Sequence, residues 1–245
     1  MENPVLVEVL RGNAVESRHR GSVAVVDADG GVVLSLGDIE TPVFPRSAVK
    51  AFQALPLLES GAADRFGLTP KEIALAVSSH SGEPEHVETA LGILKKAGRD
   101  SSCLECGSHW PSSGEAERAL AASGQKPSPL HNNCSGKHSG FVCLACGLDE
   151  DPKGYIRPDH RVQREIRAAG EEIMGFRFLD EYTGTDGCSI PTYAAPLKSI
   201  ALGFARLATG QGLAPVRAKA AKRIREAAAA NPFRSEERRV GKECL

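Results

Sequence analysis

Strand-like and helix-like segments occupy different parts of this 245-residue sequence. Val-rich runs suited to strands are concentrated in residues 4–36, where Asp29, Gly30 and Gly31 separate two of them. Such a cluster between apolar runs is a strong signal for a hairpin, so we expect a short antiparallel meander there. After residue 45 most segments have helical spacing. Strands followed by helices predict an α+β fold rather than regular βαβ alternation.

Prolines and glycines mark the ends of the later helices. Pro is favoured at the first helical position, because the N–H that it lacks would have no partner there. The spacing predicts helices over residues 48–55, 84–97, 115–122, 159–174, 197–208 and 215–230. Thr69 and Pro70 form a further N-cap signal. The short apolar run at 73–77 is interpreted as a buried strand that leads into a polar segment.

Charge and hydropathy exclude several classes of protein. Hydrophobic residues make up 41% of the chain, which is enough for a packed core. Lys and Arg number 30 against 31 Asp and Glu, so nothing in the charge favours nucleic acid or an anionic membrane. The first 25 residues do not have the pattern of a secretory signal, and no apolar run approaches the ~18 residues of a membrane span. We therefore expect a cytoplasmic protein whose cysteines are thiols or metal ligands.

Ser47 and Lys50 form an S-x-x-K pair at the start of a predicted helix. Residues three apart lie on one helix face, so the amine can hydrogen-bond the hydroxyl. If burial lowers the pKa of the lysine, the neutral amine can also take the serine proton and activate the oxygen. Taken alone, the pair more simply indicates an N-cap serine and a solvated lysine.

Three further segments concentrate polar side chains. Residues 78–83, Ser-Ser-His-Ser-Gly-Glu, are suited to binding a polar substrate or to capping the next helix. The composition of residues 131–140 predicts a loop that leads into a buried helix. Cys134 precedes a histidine by four positions in this segment, a spacing that is compatible with metal ligation. Residues 185–191 contain an Asp-Gly turn and Cys188, which by itself indicates a loop with a buried thiol.

Four of the seven cysteines form two C-x-x-C pairs, and they are Cys103, Cys106, Cys143 and Cys146. Paired C-x-x-C motifs often bind one zinc ion, although the separation here exceeds the usual ~15–20 residues. The second pair lies in an apolar helical stretch, where buried free cysteines are common. A zinc-stabilised binding module without enzymatic activity therefore stays open as an alternative.

Taken together, these segments resemble the Rhizobium-type L-asparaginase family, also called asparaginase II. The stretches that carry the likeness are PVFPRSAVKAFQALPL at 42–57, SSHSGEPEHV at 78–87, HNNCSGKHSGF at 131–141 and TDGCSIPTYAAPL at 185–197. The resemblance implies a fold like that of serine β-lactamases and glutaminases, with an antiparallel sheet packed on helices. It also implies that a cytoplasmic homodimer hydrolyses L-asparagine to L-aspartate and ammonia.

The resemblance further implies roles for individual residues. The matching catalytic residues are Ser47, Lys50 and Ser79. The matching zinc ligands are Cys134, Lys137 and Cys188, a set in which a neutral amine replaces an imidazole. The residues expected to hold the α-carboxylate and α-amine of the substrate are Arg46, His80 and Asp186. Which serine is the nucleophile stays open, and so does glutamine as a substrate.

The end of the sequence departs from the family pattern. The family is longer, and its second serine pairs with a lysine in a late K-x-G-A-E-G-like element that is missing here. We therefore expect residues 1–233 to be an incomplete asparaginase-like domain, and 234–245, with Cys244, to be a tail that is not natural protein. On this expectation the chain is inactive and poorly soluble. A β-lactamase relative stays an alternative, although the S-D-N and K-T-G companions of its S-x-x-K motif are absent.

Overall fold

The computed structural model describes residues 2–234, which form short antiparallel sheets and a larger helical body. The strands are β1 Val5–Arg11, β2 Ala14–Arg20, β3 Val23–Val26, β4 Val32–Leu36, β5 Pro42–Val43, β6 Thr183–Thr185, β7 Pro191–Tyr193 and β8 Ala195–Pro196. Within the described residues they pair as β1–β2, β3–β4, β5–β8 and β6–β7, each a two-stranded sheet. The α+β class predicted from the sequence is confirmed, whereas the sheets are smaller than expected. The specific β-lactamase/glutaminase-like arrangement stays a prediction.

The N-terminal strands form two separate hairpins, so the prediction of one meander was wrong. The turn at 29–31 does join β3 to β4, and the Asp27 carboxylate accepts hydrogen bonds from the backbone N–H groups of Asp29 and Gly31. Between β2 and β3, Gly21 N instead donates to Pro4 O, at the start of β1. This bond closes the first hairpin, and β3 does not pair with β2.

The helices follow the proline and glycine signals closely. They are α1 Lys50–Gln53, α2 Leu55–Glu59, α3 Ala62–Arg65, α4 Pro70–Ala76, α5 Pro84–Lys96, α6 Gly114–Ala122, α7 Ser135–Gly147, α8 Arg161–Met174, α9 Leu197–Thr209 and α10 Pro215–Ala230. The predicted helix over 48–55 is interrupted: a 3₁₀ turn, Arg46–Val49, precedes α1. A second break follows at Ala54, because Pro56 lacks the N–H that would continue the first helix.

Helix α4 corrects the interpretation of residues 73–77 as a strand. Thr69 caps this helix in a capping box: its hydroxyl accepts from Glu72 N at 3.4 Å, and the Glu72 carboxylate accepts from Thr69 N at 2.7 Å. Short apolar runs do not distinguish a buried strand from a buried helix by periodicity, so the local cap was the better guide.

Helix α7 lies at the centre of the core, and each of its residues from 135 to 145 is buried. Gly136 allows it to approach α4 closely, since a Cβ there would lie 2.5 Å from Leu75 Cγ and 2.6 Å from Leu75 O. The contact brings the first turn of α7 against the end of α4. Residues 78–83 leave α4 at this point, so two of the predicted polar segments meet.

The last described residue, Arg234, is buried and its guanidinium lies 3.0 Å from the Glu85 carboxylate. The rest of the predicted tail, residues 235–245 with Cys244, lies outside the described residues. No helix within residues 2–234 combines the length and the apolar composition that a membrane span requires.

Candidate functional site

The Lys50 amine and the Ser79 hydroxyl form the centre of the site. Lys50 is the first residue of α1, and Ser79 lies three residues beyond α4. Lys50 Nζ is 2.6 Å from Ser79 Oγ and 3.2 Å from Ser78 O. Only 1% of Lys50 is exposed, and this burial lowers the pKa of its amine. The arrangement therefore places a basic nitrogen beside a hydroxyl that it can deprotonate.

Ser47 is joined to Lys50 differently from the expected side-chain pair. It lies half-buried in the 3₁₀ turn before α1, and Lys50 N donates to its carbonyl oxygen. Among residues 2–234 no side-chain hydrogen bond connects the two, because the lysine side chain extends to Ser79 instead. The structure thus pairs Lys50 with Ser79, and a catalytic role of Ser47 stays a prediction.

Cys134, Lys137 and Cys188 converge beside this pair. Cys134 precedes α7, Lys137 lies in its first turn, and Cys188 comes from the loop between β6 and β7. Lys137 Nζ is 3.2 Å from Cys188 Sγ, and the two thiols are hydrogen-bonded to each other. Lys50 also bonds Cys134. All five side chains consequently form one continuous buried cluster.

The two thiols differ in acidity. Their shared hydrogen bond lowers the pKa of Cys134, and the neighbouring amines of Lys137 and Lys50 act in the same direction. The same bond, with burial, raises the pKa of Cys188. A thiolate at Cys134 is therefore stabilised by a thiol donor and by the two amines, and thiolate is the form that binds metals.

The donor set is compatible with the zinc that the family resemblance implies. Zinc favours thiolate and neutral nitrogen ligands, and two thiols and an amine supply three of the four positions of a tetrahedral site. The Asp186 carboxylate lies 3.7 Å from Cys188 Sγ. Across residues 2–234 no three His, Cys, Asp or Glu side chains are grouped for a metal, so a site here depends on the lysine.

The C-x-x-C alternative is not supported by the described residues, since Cys103, Cys106, Cys143 and Cys146 are not grouped as a metal site. Cys143 lies inside α7, where burial raises its pKa to about 12. Cys106 lies in the loop that packs against residues 129–132, and burial raises its pKa to about 12 as well. Both are thiols of the core.

Arg46 and Asp186 form an ion pair at the edge of the cluster, with 2.9 Å between the guanidinium and the carboxylate. The Arg46 side chain is 67% exposed and that of Asp186 only 10%, so the pair spans from solvent to the buried site. Arg46 has φ 48° and Ser189 has φ 74°, both in the left-handed region. Such backbone costs about 1–3 kcal/mol per residue and is concentrated at functional sites.

His80 is completely buried, and both of its ring nitrogens are bonded within the protein. Gly82 N donates to Nδ1 at 3.1 Å, and Nε2 is 2.9 Å from Ser135 Oγ, whose own proton goes to Leu130 O. Burial lowers the pKa of this imidazole well below its ordinary value. The geometry makes His80 a neutral link between two loops, and its contact with substrate stays a prediction.

Two residues of the surroundings have no signal in the sequence. The Tyr155 hydroxyl is 2.6 Å from His138 Nδ1 and accepts from Glu105 N at 2.9 Å. His109 accepts a hydrogen bond from Asn133 N. Each contact joins elements that are distant in sequence, and no spacing rule connects them.

A comparison with protein-family models agrees with the resemblance seen in the sequence. A protein-family model described as L-asparaginase II matches residues 7–236, nearly the whole chain. All four stretches that carried the resemblance lie within the matched range. The search of curated proteins gave no match.

Proposed function

The chain belongs to the L-asparaginase II family, and on this premise we propose that it is an amidohydrolase that converts L-asparagine to L-aspartate and ammonia. One observation carries the catalytic part of the proposal: the buried Lys50 amine lies 2.6 Å from Ser79 Oγ. A nucleophile and base in hydrogen-bond contact are the minimum for attack on an amide.

Ser79 acts as the nucleophile in the proposed reaction. Its oxygen bonds to the side-chain amide carbon of asparagine while the hydroxyl proton passes to neutral Lys50 Nζ. The tetrahedral oxyanion then breaks its C–N bond, and Lys50 returns the proton to the leaving nitrogen, which departs as ammonia. Water hydrolyses the aspartyl ester and restores the Ser79 hydroxyl. The lowering of the Lys50 pKa by burial supports this cycle, because it favours the neutral amine that the attack requires.

Arg46 and Asp186 are suited to hold the amino-acid end of the substrate. A guanidinium fork matches a carboxylate, and a carboxylate matches an ammonium group. The two side chains now bond each other at 2.9 Å, and a zwitterionic amino acid would offer each of them an alternative partner. Binding would therefore exchange this ion pair for two interactions that fix the substrate.

Cys134, Lys137 and Cys188 are proposed to hold zinc, with Lys137 bound as the neutral amine. When bound, the ion supplies a positive charge that orients substrate and neighbouring side chains. The fold already brings two of these side chains together, because Lys137 Nζ lies 3.2 Å from Cys188 Sγ. Zinc content of the purified protein, measured before and after Cys188→Ser, tests the assignment, and an unchanged content contradicts it.

Ammonia release from asparagine, with glutamine as the second substrate, tests the function. We expect Ser79→Ala and Lys50→Met to lower kcat about 1,000-fold, because each removes one half of the nucleophile pair. Ser102→Ala, at an exposed serine of the same body, is the matched control and should retain the wild-type rate. Retained activity in Ser79→Ala, with loss in Ser47→Ala, contradicts the assignment of the nucleophile.

The same assay decides between this proposal and the inactivity expected from the sequence. That expectation depended in part on a missing lysine partner for Ser79, and Lys50 Nζ lies within hydrogen-bond distance of Ser79 Oγ. Ammonia release by the 245-residue chain supports the proposal, whereas a folded chain without release supports the expectation of inactivity. The cytoplasmic homodimer implied by the resemblance also belongs to the proposal, and sedimentation analysis tests its oligomeric part.

A further inference from the structure

His109 lies in the exposed loop that follows Cys106 and contacts the segment that carries Cys134. Asn133 N donates to His109 Nε2 at 3.0 Å, and His109 Nδ1 is 2.7 Å from Trp110 O. Asn133 Oδ1 lies 3.4 Å from the same Nε2, and a flip of the side-chain amide would place its NH₂ group there instead. The mechanism proposed above makes no use of this histidine.

The two partners determine the protonation of the ring. A backbone N–H can only donate, so Nε2 of His109 must carry no proton where it faces Asn133 N. A carbonyl oxygen can only accept, so Nδ1 must carry the proton where it faces Trp110 O. His109 is therefore a neutral imidazole in one defined tautomer, with each nitrogen matched to its partner.

Asn133 connects His109 to the two sides of the candidate site, the serine side at Ser79 and the thiol side at Cys134. Its carbonyl oxygen accepts from His80 N at 3.2 Å, next to Ser79, and its neighbour in the chain is Cys134. Since His109 holds the N–H of Asn133 and His80 holds its C=O, both polar groups of this residue are tied to other loops. The peptide groups on either side are thereby fixed in orientation.

A second set of bonds ties the same two loops together. Asn132 Nδ2 donates to Cys106 O at 2.9 Å, and Asn132 Oδ1 accepts from Cys134 N at 2.9 Å. The loop from Cys106 to His109 consequently lies along residues 132–134 as a brace. His109 is the part of this brace that contacts Asn133, the residue between the serine side and the thiol side of the site.

We propose that His109 is a positioning residue of the candidate site, which acts as a hydrogen-bond acceptor for Asn133 N and so fixes Cys134 relative to Ser79. This role deepens the proposed function. Its kinetic readout rests on that function, whereas its amide-exchange readout does not. Acceptor position, rather than ring shape or size, is the property that matters. Glutamine can place Oε1 where Nε2 lies, whereas asparagine places its acceptor where Nδ1 lies.

The test compares His109→Gln, His109→Asn and His109→Leu with the wild-type chain, and Ser108→Ala is the control in the same exposed loop. The first readout is the exchange rate of the Asn133 amide proton, followed by NMR without substrate. We expect exchange about tenfold faster in His109→Leu and His109→Asn, because the amide loses its acceptor, and near wild type in His109→Gln and Ser108→Ala. The second readout is kcat for ammonia release, which should fall about 10–100-fold in the Leu and Asn variants with a smaller change in KM.

The outcomes separate the two proposals. The positioning role is overturned if the Asn133 amide exchanges at the wild-type rate in His109→Leu. It is also overturned if His109→Asn and His109→Gln preserve slow exchange equally well. Altered exchange with unchanged kcat overturns it too, because the site would then tolerate the released loop. If exchange follows the prediction and no variant or wild-type chain releases ammonia, the bracing contact stands and the proposed function fails.

Discussion

The helical body around α7 and the two N-terminal hairpins stabilise their backbones in contrasting ways. In α7 every residue from 135 to 145 is buried, polar ones included. In β1, β2 and β4 every residue is exposed, and Leu10 and Val33 are 60% and 69% exposed. The strands of each hairpin are joined by backbone hydrogen bonds but bury little apolar surface, and an isolated hairpin is marginally stable. Asp186 and Cys188 come from the loop between β6 and β7, and the other candidate site residues belong to the helical body or its loops. The geometry of the site therefore depends on packing around the helices and not on the N-terminal hairpins.

The largest contrast is expected between two glycine substitutions. Gly136→Ala forces a Cβ against the backbone of Leu75, which cannot rotate away, and should lower the free energy of unfolding by about 2–3 kcal/mol. Gly12 lies in the turn between β1 and β2, where an added Cβ would meet no neighbouring atom. Gly12→Ala should therefore lower the free energy of unfolding only by the strain of an alanine at φ 60°, about 1 kcal/mol. Urea denaturation of both variants measures the difference. Equal destabilisation would contradict the dependence on helix packing.

Two ion pairs of similar length extend the comparison. Arg217 and Glu59 join α10 to α2 by two bonds of 2.6 and 2.9 Å, with side chains only 11% and 16% exposed. Arg18 and Glu8 lie 2.8 Å apart across the first hairpin, 60% and 45% exposed. Arg217→Met should cost about 2 kcal/mol, because it leaves a carboxylate partly buried without its partner, whereas Arg18→Met should cost about 0.5 kcal/mol or less. Thermal denaturation at fixed pH compares them, and a larger effect at Arg18 would reverse the comparison.

Acid should destabilise the helical body through its buried histidines. Burial lowers the pKa values of His80 and His138 well below the ordinary value, so in mild acid the unfolded chain binds protons that the native chain does not. The free energy of unfolding is therefore fully retained above about pH 6.5 and falls as the pH decreases below it, by at most about 1.4 kcal/mol per pH unit and histidine. His80→Asn should reduce this slope, and His19→Asn, in the exposed strand β2, should leave it unchanged. Identical slopes in wild type and His80→Asn would show that His80 is not the cause.

Local chemistry explains which parts of the fold could be predicted from the sequence. Pro84 and Pro215 each begin a helix at the predicted residue, because the signal and the structure involve the same few residues. The turn at 29–31 was predicted for the same reason. Residues 73–77 were misassigned because an apolar run has no period of its own, although the Thr69 cap already indicated a helix.

The site could be predicted by residue type but not by pairing. Lys50 and Ser79 were both singled out, yet the S-x-x-K spacing directed attention to Ser47, three positions away. The hydrogen bond observed spans 29 positions and depends on how the start of α1 is placed relative to the segment that follows α4. The contact between His109 and Asn133 spans 24 positions and depends on a loop with no regular structure. Tertiary contacts of this kind leave no periodic trace in a single sequence.

Mapping the covalent intermediate tests most directly whether Lys50 activates Ser79. The chain is incubated with a slowly hydrolysed asparagine analogue, quenched in acid and digested, and the peptides are analysed by mass spectrometry. The predicted result is an aspartyl adduct on the peptide that contains Ser79 in wild type and in Ser47→Ala, with none in Ser79→Ala or Lys50→Met. An adduct on the peptide that contains Ser47, retained in Ser79→Ala, would contradict the central claim.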